Sequence, residues 1–264
     1  MQRRQFLLLS LGSVLATPGR AVEAAKPGIS LGAAINKAGR QRMLSQRLAK
    51  AYAMQVVGVM PDKAAGLLEQ SRGLFEAQLG ELKTLVPNEA VHGALGDLDQ
   101  AWAGYRAALN APRTPESTRL VLVESEKTLR AAHALTGLYE KQAASSAGRL
   151  VNLSGRQRML SQRMAKCFMF QQSGVAGDSL RNEMEAARRD FVAALAELNA
   201  APENTTEIRT ELGLANMQWM FFEQAMNGRE PNREIAVRNV ATTSERILEV
   251  MDNLTGRYEK LVRG

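Results

Sequence analysis

The chain is poor in the residues from which disulfide bonds, metal centres and hydrolytic sites are built. Its 264 residues include a single cysteine, Cys167, and two histidines, His92 and His133. A single cysteine excludes an intrachain disulfide bond, and no group of Cys and His residues has the spacing of metal ligands. No glycine-rich loop for phosphate and no Ser/His/Asp set follows a known motif. We therefore predict no catalytic residue, no metal site and no cofactor, and a protein that is not an enzyme.

Aromatic residues and long apolar runs are also scarce. Aromatic residues make up 5% of the chain, whereas alanine, leucine, arginine, glutamate and glutamine are abundant, which favours helices over sheets. The hydrophobic content of 45% is sufficient for a buried core. After residue 25 no apolar run is long enough to span a bilayer, so we predict no transmembrane segment in the mature chain.

The N-terminal residues have the pattern of an export signal. The pair Arg3-Arg4 precedes a short apolar run from Phe6 to Ala16, and small residues suited to cleavage follow it. Because the run is too short to cross a membrane, we interpret residues 1–25 as a cleaved signal peptide and predict a periplasmic protein. The paired arginines favour the Tat route, although the same pair also occurs in Sec signals.

The charge balance suits an anionic partner. The formal net charge of +7 is compatible with nucleic acid or with a small anion. A periplasmic location argues against nucleic acid, which leaves an anionic ligand or an acidic protein surface.

A nine-residue segment, GRQRMLSQR, occurs twice without any change, at Gly39–Arg47 and at Gly155–Arg163. Each copy has three arginines and no acidic residue. Further landmarks repeat at nearly the same separation, and these are Asn36 with Asn152, Phe75 with Phe191, Trp102 with Trp219, and LTGLYEK at Leu135–Lys141 with LTGRYEK at Leu254–Lys260. The chain is therefore an internal duplication.

Each half is predicted to form four helices. Proline, glycine, asparagine and aspartate cluster at three breaks in each half, near residues 58–62, 86–88 and 111–115, and near residues 174–178, 200–205 and 228–232. Between these breaks, apolar residues recur at spacings of three and four. We therefore predict an all-α fold of two tandem antiparallel four-helix bundles in a pseudo-two-fold arrangement, formed by residues 26–142 and 143–264.

The connection between the halves allows two interpretations. A break near residues 143–148 would let the second unit begin as the first does, with Ser30 and Ser146 as equivalent helix caps. A continuous helix from about Glu116 to Gln172 is the alternative, because no proline forbids it. We favour the break.

The repeated segment has an unusual face when it is wound as a helix. Gly39, Arg42 and Gln46 lie on one side among small residues. In the second copy the same positions are Gly155, Arg158 and Gln162. A glycine inside a helix costs about 0.5–1 kcal/mol, so its presence suggests the close approach of another helix. Two desolvated arginines at such a contact would repel, and an oxyanion between them would accept their paired N–H groups. The face fits two halves of an anion clamp, with a solvated basic stripe as the alternative.

The segment INKAGRQRMLSQRL at Ile35–Leu48 resembles the P-box of nitrate and nitrite sensor kinases of the NarX and NarQ type. It is also similar to the related PilJ-type N-terminal domain of chemotaxis transducers. The resemblance implies a periplasmic four-helix bundle in which nitrate or nitrite lies between the P-box helices of two protomers and is bound by an arginine from each. We expect this chain to differ from those membrane receptors in having neither flanking transmembrane helices nor a cytoplasmic signalling domain.

The resemblance assigns roles to particular residues. The anion-binding arginines become Arg42 and Arg158, and the glycines of the close contact become Gly39 and Gly155. The second box arginines, Arg47 and Arg163, become supporting residues, and Lys50 and Lys166 are expected to add positive potential at the rim. An aromatic residue that is common in the box is replaced here by Gln46 and Gln162, which bears on the choice of anion.

Two functional hypotheses follow from these observations. The leading one is a soluble periplasmic anion-binding sensor module for nitrate or nitrite, which holds both halves of the site in one chain and docks to a membrane-bound sensor kinase or chemoreceptor. The alternative is a ligandless helical adaptor or structural protein, whose basic helices dock to a membrane receptor or an acidic partner.

Overall fold

The structure, a computed structural model, describes residues 29–175, 177–228 and 230–263. Over these residues the chain forms eight α-helices and no strand. The helices are α1 (Leu31–Val57), α2 (Pro61–Leu82), α3 (Glu89–Asn110), α4 (Pro115–Ala143), α5 (Ser146–Gln172), α6 (Asp178–Ala200), α7 (Thr206–Asn227) and α8 (Arg233–Arg263). The predicted all-α fold with four helices in each half is confirmed. The predicted export signal lies outside the described residues.

The two units begin alike and are separated by a break. The side chain of Ser30 caps α1 by accepting a hydrogen bond from the backbone N–H of Ala33. Helix α4 ends at Ala143, and its C-cap Ala144 adopts the left-handed conformation with φ 45°, so the continuous helix is wrong. The cap of α5 is Ser145 rather than the predicted Ser146, because the hydroxyl of Ser145 is the one that accepts from the N–H of Gly148.

The units lie side by side and meet along α1 and α5. In the first unit α1 packs against α2 and α4, and α3 packs against α4; in the second, α5 packs against α6 and α8, and α7 against α8. From Asn36 to Arg47 along α1, the residues contacted on α8 run in the reverse order, from Glu259 to Glu245. From Arg158 to Gln162 along α5, the residues contacted on α8 likewise run in the reverse order, from Asp252 to Ser244. Both helices are therefore antiparallel to α8 and run in the same direction, which places the two repeated segments at the same level.

The duplication is preserved in the core. The rings of Phe75 and Trp102 stack with their centroids 4.1 Å apart, and those of Phe191 and Trp219 stack at 4.4 Å. Buried apolar side chains from both units form a continuous cluster. Among the described residues no helix is long and apolar enough to cross a membrane. This packing fixes α1 and α5 as the central pair of the molecule.

Candidate functional site

The two arginines of the predicted clamp meet at the centre of the α1–α5 contact. Arg42 is 1% exposed and Arg158 is 0% exposed, so the solvated basic stripe is wrong for these two residues. A Cβ atom at Gly39 would lie 3.1 Å from Nη2 of Arg42 and 3.7 Å from Nη2 of Arg158. A Cβ atom at Gly155 would lie 3.1 Å from Nη2 of Arg158 and 3.7 Å from Nη2 of Arg42. The guanidinium groups thus lie together over the two glycines.

These distances also explain the glycines. The sequence suggested that Gly39 and Gly155 allow the backbone of another helix to approach. The atoms nearest to both positions are instead the guanidinium nitrogens of Arg42 and Arg158. Any side chain there would occupy the space in which the arginines lie, so the glycines make room for the charged groups themselves.

The two arginines have different partners. Arg42 donates through Nη2 to Oδ1 of Asn152 at 2.7 Å and through Nη1 to Nδ1 of His133 at 3.4 Å. Arg158 donates through Nη2 to the backbone carbonyl of Asn36 at 3.2 Å, and its Nη1 forms an ion pair with Asp252. Within the described part of the chain, Arg42 has no carboxylate at ion-pair distance. Arg158 therefore has a directly paired carboxylate, whereas Arg42 has only the attraction of Glu140, which accepts a hydrogen bond from Asn152 behind it.

Each guanidinium also retains an unused donor. The Nε atoms of Arg42 and Arg158 are buried and have no hydrogen-bond partner among the described residues. A buried donor without an acceptor costs about 1–3 kcal/mol, so an acceptor placed between the helices would relieve that cost.

Burial and mutual repulsion set the electrostatics of this centre. Burial, followed by repulsion from Arg158 and Arg156, lowers the pKa of Arg42 to about 9. Burial likewise lowers the pKa of Arg158 to about 10, although Asp252 opposes the effect. Both groups therefore stay charged at neutral pH. Burial and the charge of Arg42 also lower the pKa of His133, which keeps the imidazole neutral at pH 7.

The supporting basic residues are held by carboxylates of the opposite unit. Nζ of Lys50 and Nη2 of Arg47 each lie 2.5 Å from the carboxylate of Glu245 on α8. In the second copy, Lys166 and Arg163 lie 2.6 and 2.8 Å from the carboxylate of Glu126 on α4. Both lysines are fully buried. The expectation that they line the rim of the site is therefore wrong, because a buried ammonium group needs a carboxylate partner.

Gln46 and Gln162 lie one helical turn beyond the arginines and are completely buried. Gln46 donates to the backbone carbonyl of Ser125 at 3.5 Å, and Gln162 to that of Ser244 at 2.8 Å. Their Oε1 atoms have no partner among the described residues. The two glutamines thus fasten α1 to α4 and α5 to α8, and neither contacts an arginine of the centre.

Sequence reasoning missed His133 and Asp252 as residues of the centre. They are equivalent positions of the repeat, since each lies two residues before its LTG motif. Extending the alignment back from that motif would have paired them. It would have shown that the first unit has histidine at the position where the second unit has a carboxylate. Asn36 and Asn152 were aligned, but nothing in their spacing indicated contact with the arginines. No group of residues that would hold a metal ion is found in the described ranges.

The fold and the site define a duplicated helical-bundle protein with a buried cationic centre at its internal pseudo-two-fold axis. A comparison with protein-family models matches the chain twice, at residues 30–128 and 141–246, to PilJ, the type IV pili methyl-accepting chemotaxis transducer N-terminal domain. The chain therefore belongs to this family, which is sensory and non-catalytic, and carries two copies of its domain. No curated protein and no solved structure matches it.

Proposed function

We propose that this protein is a periplasmic sensor module that binds a small inorganic anion between Arg42 and Arg158, with nitrate and nitrite as the first candidates. The observation that carries the proposal is the pair of buried guanidinium groups, contributed by two equivalent helices and held together over Gly39 and Gly155. The assignment of nitrate rests on the resemblance of the repeated segment to the P-box.

The chemistry of the pair favours a planar oxyanion. The two positive charges repel, and among the described residues Arg158 forms an ion pair with a carboxylate whereas Arg42 does not. Each guanidinium is planar and keeps a free Nε donor, so an anion with several oxygens would receive hydrogen bonds from both sides. The anion would neutralise the repulsion and satisfy the unpartnered donors at once.

Burial of the pair supports a sensing role. Because both arginines are enclosed, we expect an anion to reach them through a displacement of α1 and α5 relative to each other. A ligand that binds one arrangement better than the other shifts the population between them. We propose that a membrane-bound sensor kinase or chemoreceptor reads this displacement by docking, in keeping with the transducer context of the family.

Calorimetry at constant ionic strength tests the proposal. Nitrate or nitrite is expected to bind saturably, and more tightly than chloride or sulfate, and the double variant Arg42→Ala/Arg158→Ala is expected to abolish binding. Arg106→Ala is the matched control, because Arg106 is about half exposed and lies on the outer helix α3. Uniformly weak, salt-like effects of all four anions would favour the ligandless adaptor, and wild-type affinity in the double variant would exclude this site.

A further inference from the structure

The two units contain equivalent clefts that have diverged in charge. The α4/α5 cleft, of about 500 Å³, is lined by Glu126, Leu129, Arg130, His133, Ala134, Arg156, Met159 and Arg163. Its counterpart, the α1/α8 cleft of about 520 Å³, includes the equivalent residues Arg40, Met43, Arg47, Glu245, Leu248, Glu249 and Asp252. The largest changes between them are that Arg130 and His133 replace Glu249 and Asp252. The α4/α5 cleft therefore lacks two carboxylates that the other cleft has, and the carboxylate in its lining, Glu126, is paired with Arg163 and Lys166.

In the α1/α8 cleft the chain supplies its own anion. The carboxylate of Asp252 lies 2.5 Å from Nη2 of Arg40 and also pairs with Arg158. Asp252 is 40% exposed in its side chain, so this ion pair forms part of the cleft wall. Attraction from Arg158 and Arg40 outweighs burial and lowers the pKa of Asp252, which keeps it ionised.

In the α4/α5 cleft the corresponding cations have no such carboxylate. Arg156, the equivalent of Arg40, lines the cleft and pairs through Nη2 alone with Asp190 at 2.6 Å, so its other N–H groups stay available. Arg130 is exposed and makes no ion pair or hydrogen bond with any other described residue. His133 accepts from Arg42 through Nδ1, so the neutral ring carries its proton on Nε2 and offers that N–H to the cleft. Leu129, Ala134 and Met159 supply an apolar wall beside these donors.

We propose that the α4/α5 cleft binds a small organic carboxylate, whose charged group takes the role that Asp252 performs in the other unit. The carboxylate receives hydrogen bonds from Arg130, Arg156 and the Nε2–H of His133, and the apolar body of the ligand packs on Leu129 and Met159. The volume of the cleft is in the range of small-molecule sites. This site borders the anion clamp, because His133 accepts from Arg42, but it uses neither of the two clamp arginines as a ligand.

The first experiment measures butyrate and benzoate binding to the protein by calorimetry at constant ionic strength. We expect saturable binding of one carboxylate per chain, weakened at least tenfold by Arg130→Glu, which installs the residue of the other cleft. Arg119→Glu is the control, because it makes the same charge change at an exposed position of α4 outside the cleft. No saturable binding by the wild type, or equal affinities of Arg130→Glu and Arg119→Glu, would overturn the proposal.

A second comparison separates this site from the clamp. Arg158→Ala is expected to abolish nitrate binding but to leave butyrate affinity within about twofold. Arg130→Glu is expected to weaken butyrate binding at least tenfold but to leave nitrate affinity within about twofold. Loss of butyrate binding in Arg158→Ala with retention in Arg130→Glu would place the carboxylate in the clamp and overturn the cleft assignment. His133→Asp, which supplies the missing carboxylate from within the chain, should also abolish butyrate binding, and unchanged affinity in this folded variant would count against the proposal.

Discussion

At the scale of single residues, the two central arginines differ in their environments although their positions are equivalent. Arg158 has Asp252 as a directly paired counter-ion, whereas the side-chain partners of Arg42 among the described residues are the neutral groups of Asn152 and His133, and Glu140 attracts it without forming an ion pair. A buried charge without a counter-ion lowers stability, since its desolvation is not offset by attraction. Arg42 is therefore the residue that destabilises the ligand-free protein most directly and gains most from an anion.

This difference predicts opposite effects of removing each charge. Arg42→Met keeps most of the side-chain volume and removes the uncompensated charge, so we expect the free energy of unfolding to rise by about 1–3 kcal/mol. Arg158→Met leaves the carboxylate of Asp252 with Arg40 alone, so stability should not rise. Urea denaturation without nitrate or nitrite measures both. A loss of stability in Arg42→Met equal to that in Arg158→Met would contradict the asymmetry.

The glycines give a second prediction at this scale. Gly39→Ala places a methyl group 3.1 Å from Nη2 of Arg42, so the guanidinium must shift and nitrate-dependent stabilisation should fall. Gly73→Ala is the matched control, because no atom lies within 4 Å of its Cβ position. The control should gain about 0.5–1 kcal/mol from helix propensity and keep its response to nitrate. Thermal melts with and without nitrate decide the matter, and an identical response in both variants would argue against a role for Gly39.

At the scale of helices, each box helix is tied to the last helix of the opposite unit. Lys50 and Arg47 join α1 to Glu245 on α8, and the equivalent pair on α5 joins Glu126 on α4. These ion pairs set the register of α1 and α5 against their neighbours. Any displacement of the box helices on ligand binding has to strain or re-form them, which links the centre to the outer helices.

The pH dependence of stability tests this link. Burial alone would raise the pKa of Glu245, but Lys50 and Arg47 outweigh it and lower the pKa to about 2. Because the unfolded chain binds that proton near pH 4.5, the ionised carboxylate stabilises the fold above pH 4.5, and the contribution is lost as the pH falls toward 2. The shift corresponds to roughly 3 kcal/mol.

Glu245→Gln should therefore lower stability at neutral pH and flatten its decline between pH 4.5 and 2. Urea denaturation over a pH series measures both effects. The control is Glu76→Gln, whose side chain is exposed and 3.5 Å from Arg106, and which should leave the curve nearly unchanged. An acid limb as steep in Glu245→Gln as in the wild type would show that this carboxylate does not hold the helices together.

At the scale of the whole molecule, the duplication brings both halves of the centre into one chain. The break at Ala144 and Ser145 returns the second unit beside the first, so that Arg158 meets Arg42 of the same polypeptide. A tethered half-site is present at an effective concentration on the order of millimolar, which makes assembly of the clamp independent of protein concentration.

The expected stoichiometry is therefore one anion of the clamp per chain in a monomer, with an affinity that does not change on dilution. Light scattering combined with calorimetric titration of nitrate measures both quantities. Arg130→Glu serves as the control, since it changes the proposed carboxylate site and leaves both clamp arginines in place. A dimer that holds one nitrate per two chains would contradict an intramolecular clamp.

The sequence by itself determined the duplication, the eight helices and the face on which Arg42 and Arg158 lie, and it favoured the break between the units without excluding a continuous helix. These features are local, because helical periodicity, capping residues and the repeat are all written within short stretches of chain. Even the error of one residue at Ser145 concerned only the choice between adjacent serines.

Only the tertiary structure decided which groups face the arginines. His133, Asp252 and Glu245 lie 91, 212 and 198 residues along the chain from Arg42, Arg40 and Arg47, and their positions depend on the rotation and register of packed helices. For the same reason the burial of Lys50 could not be predicted. The position of a lysine on its helix does not indicate that a carboxylate of the other unit, Glu245, will pair with it. The asymmetry between the two halves of the centre comes from the difference between His133 and Asp252 at equivalent positions, but only the packing shows that these side chains meet the arginines.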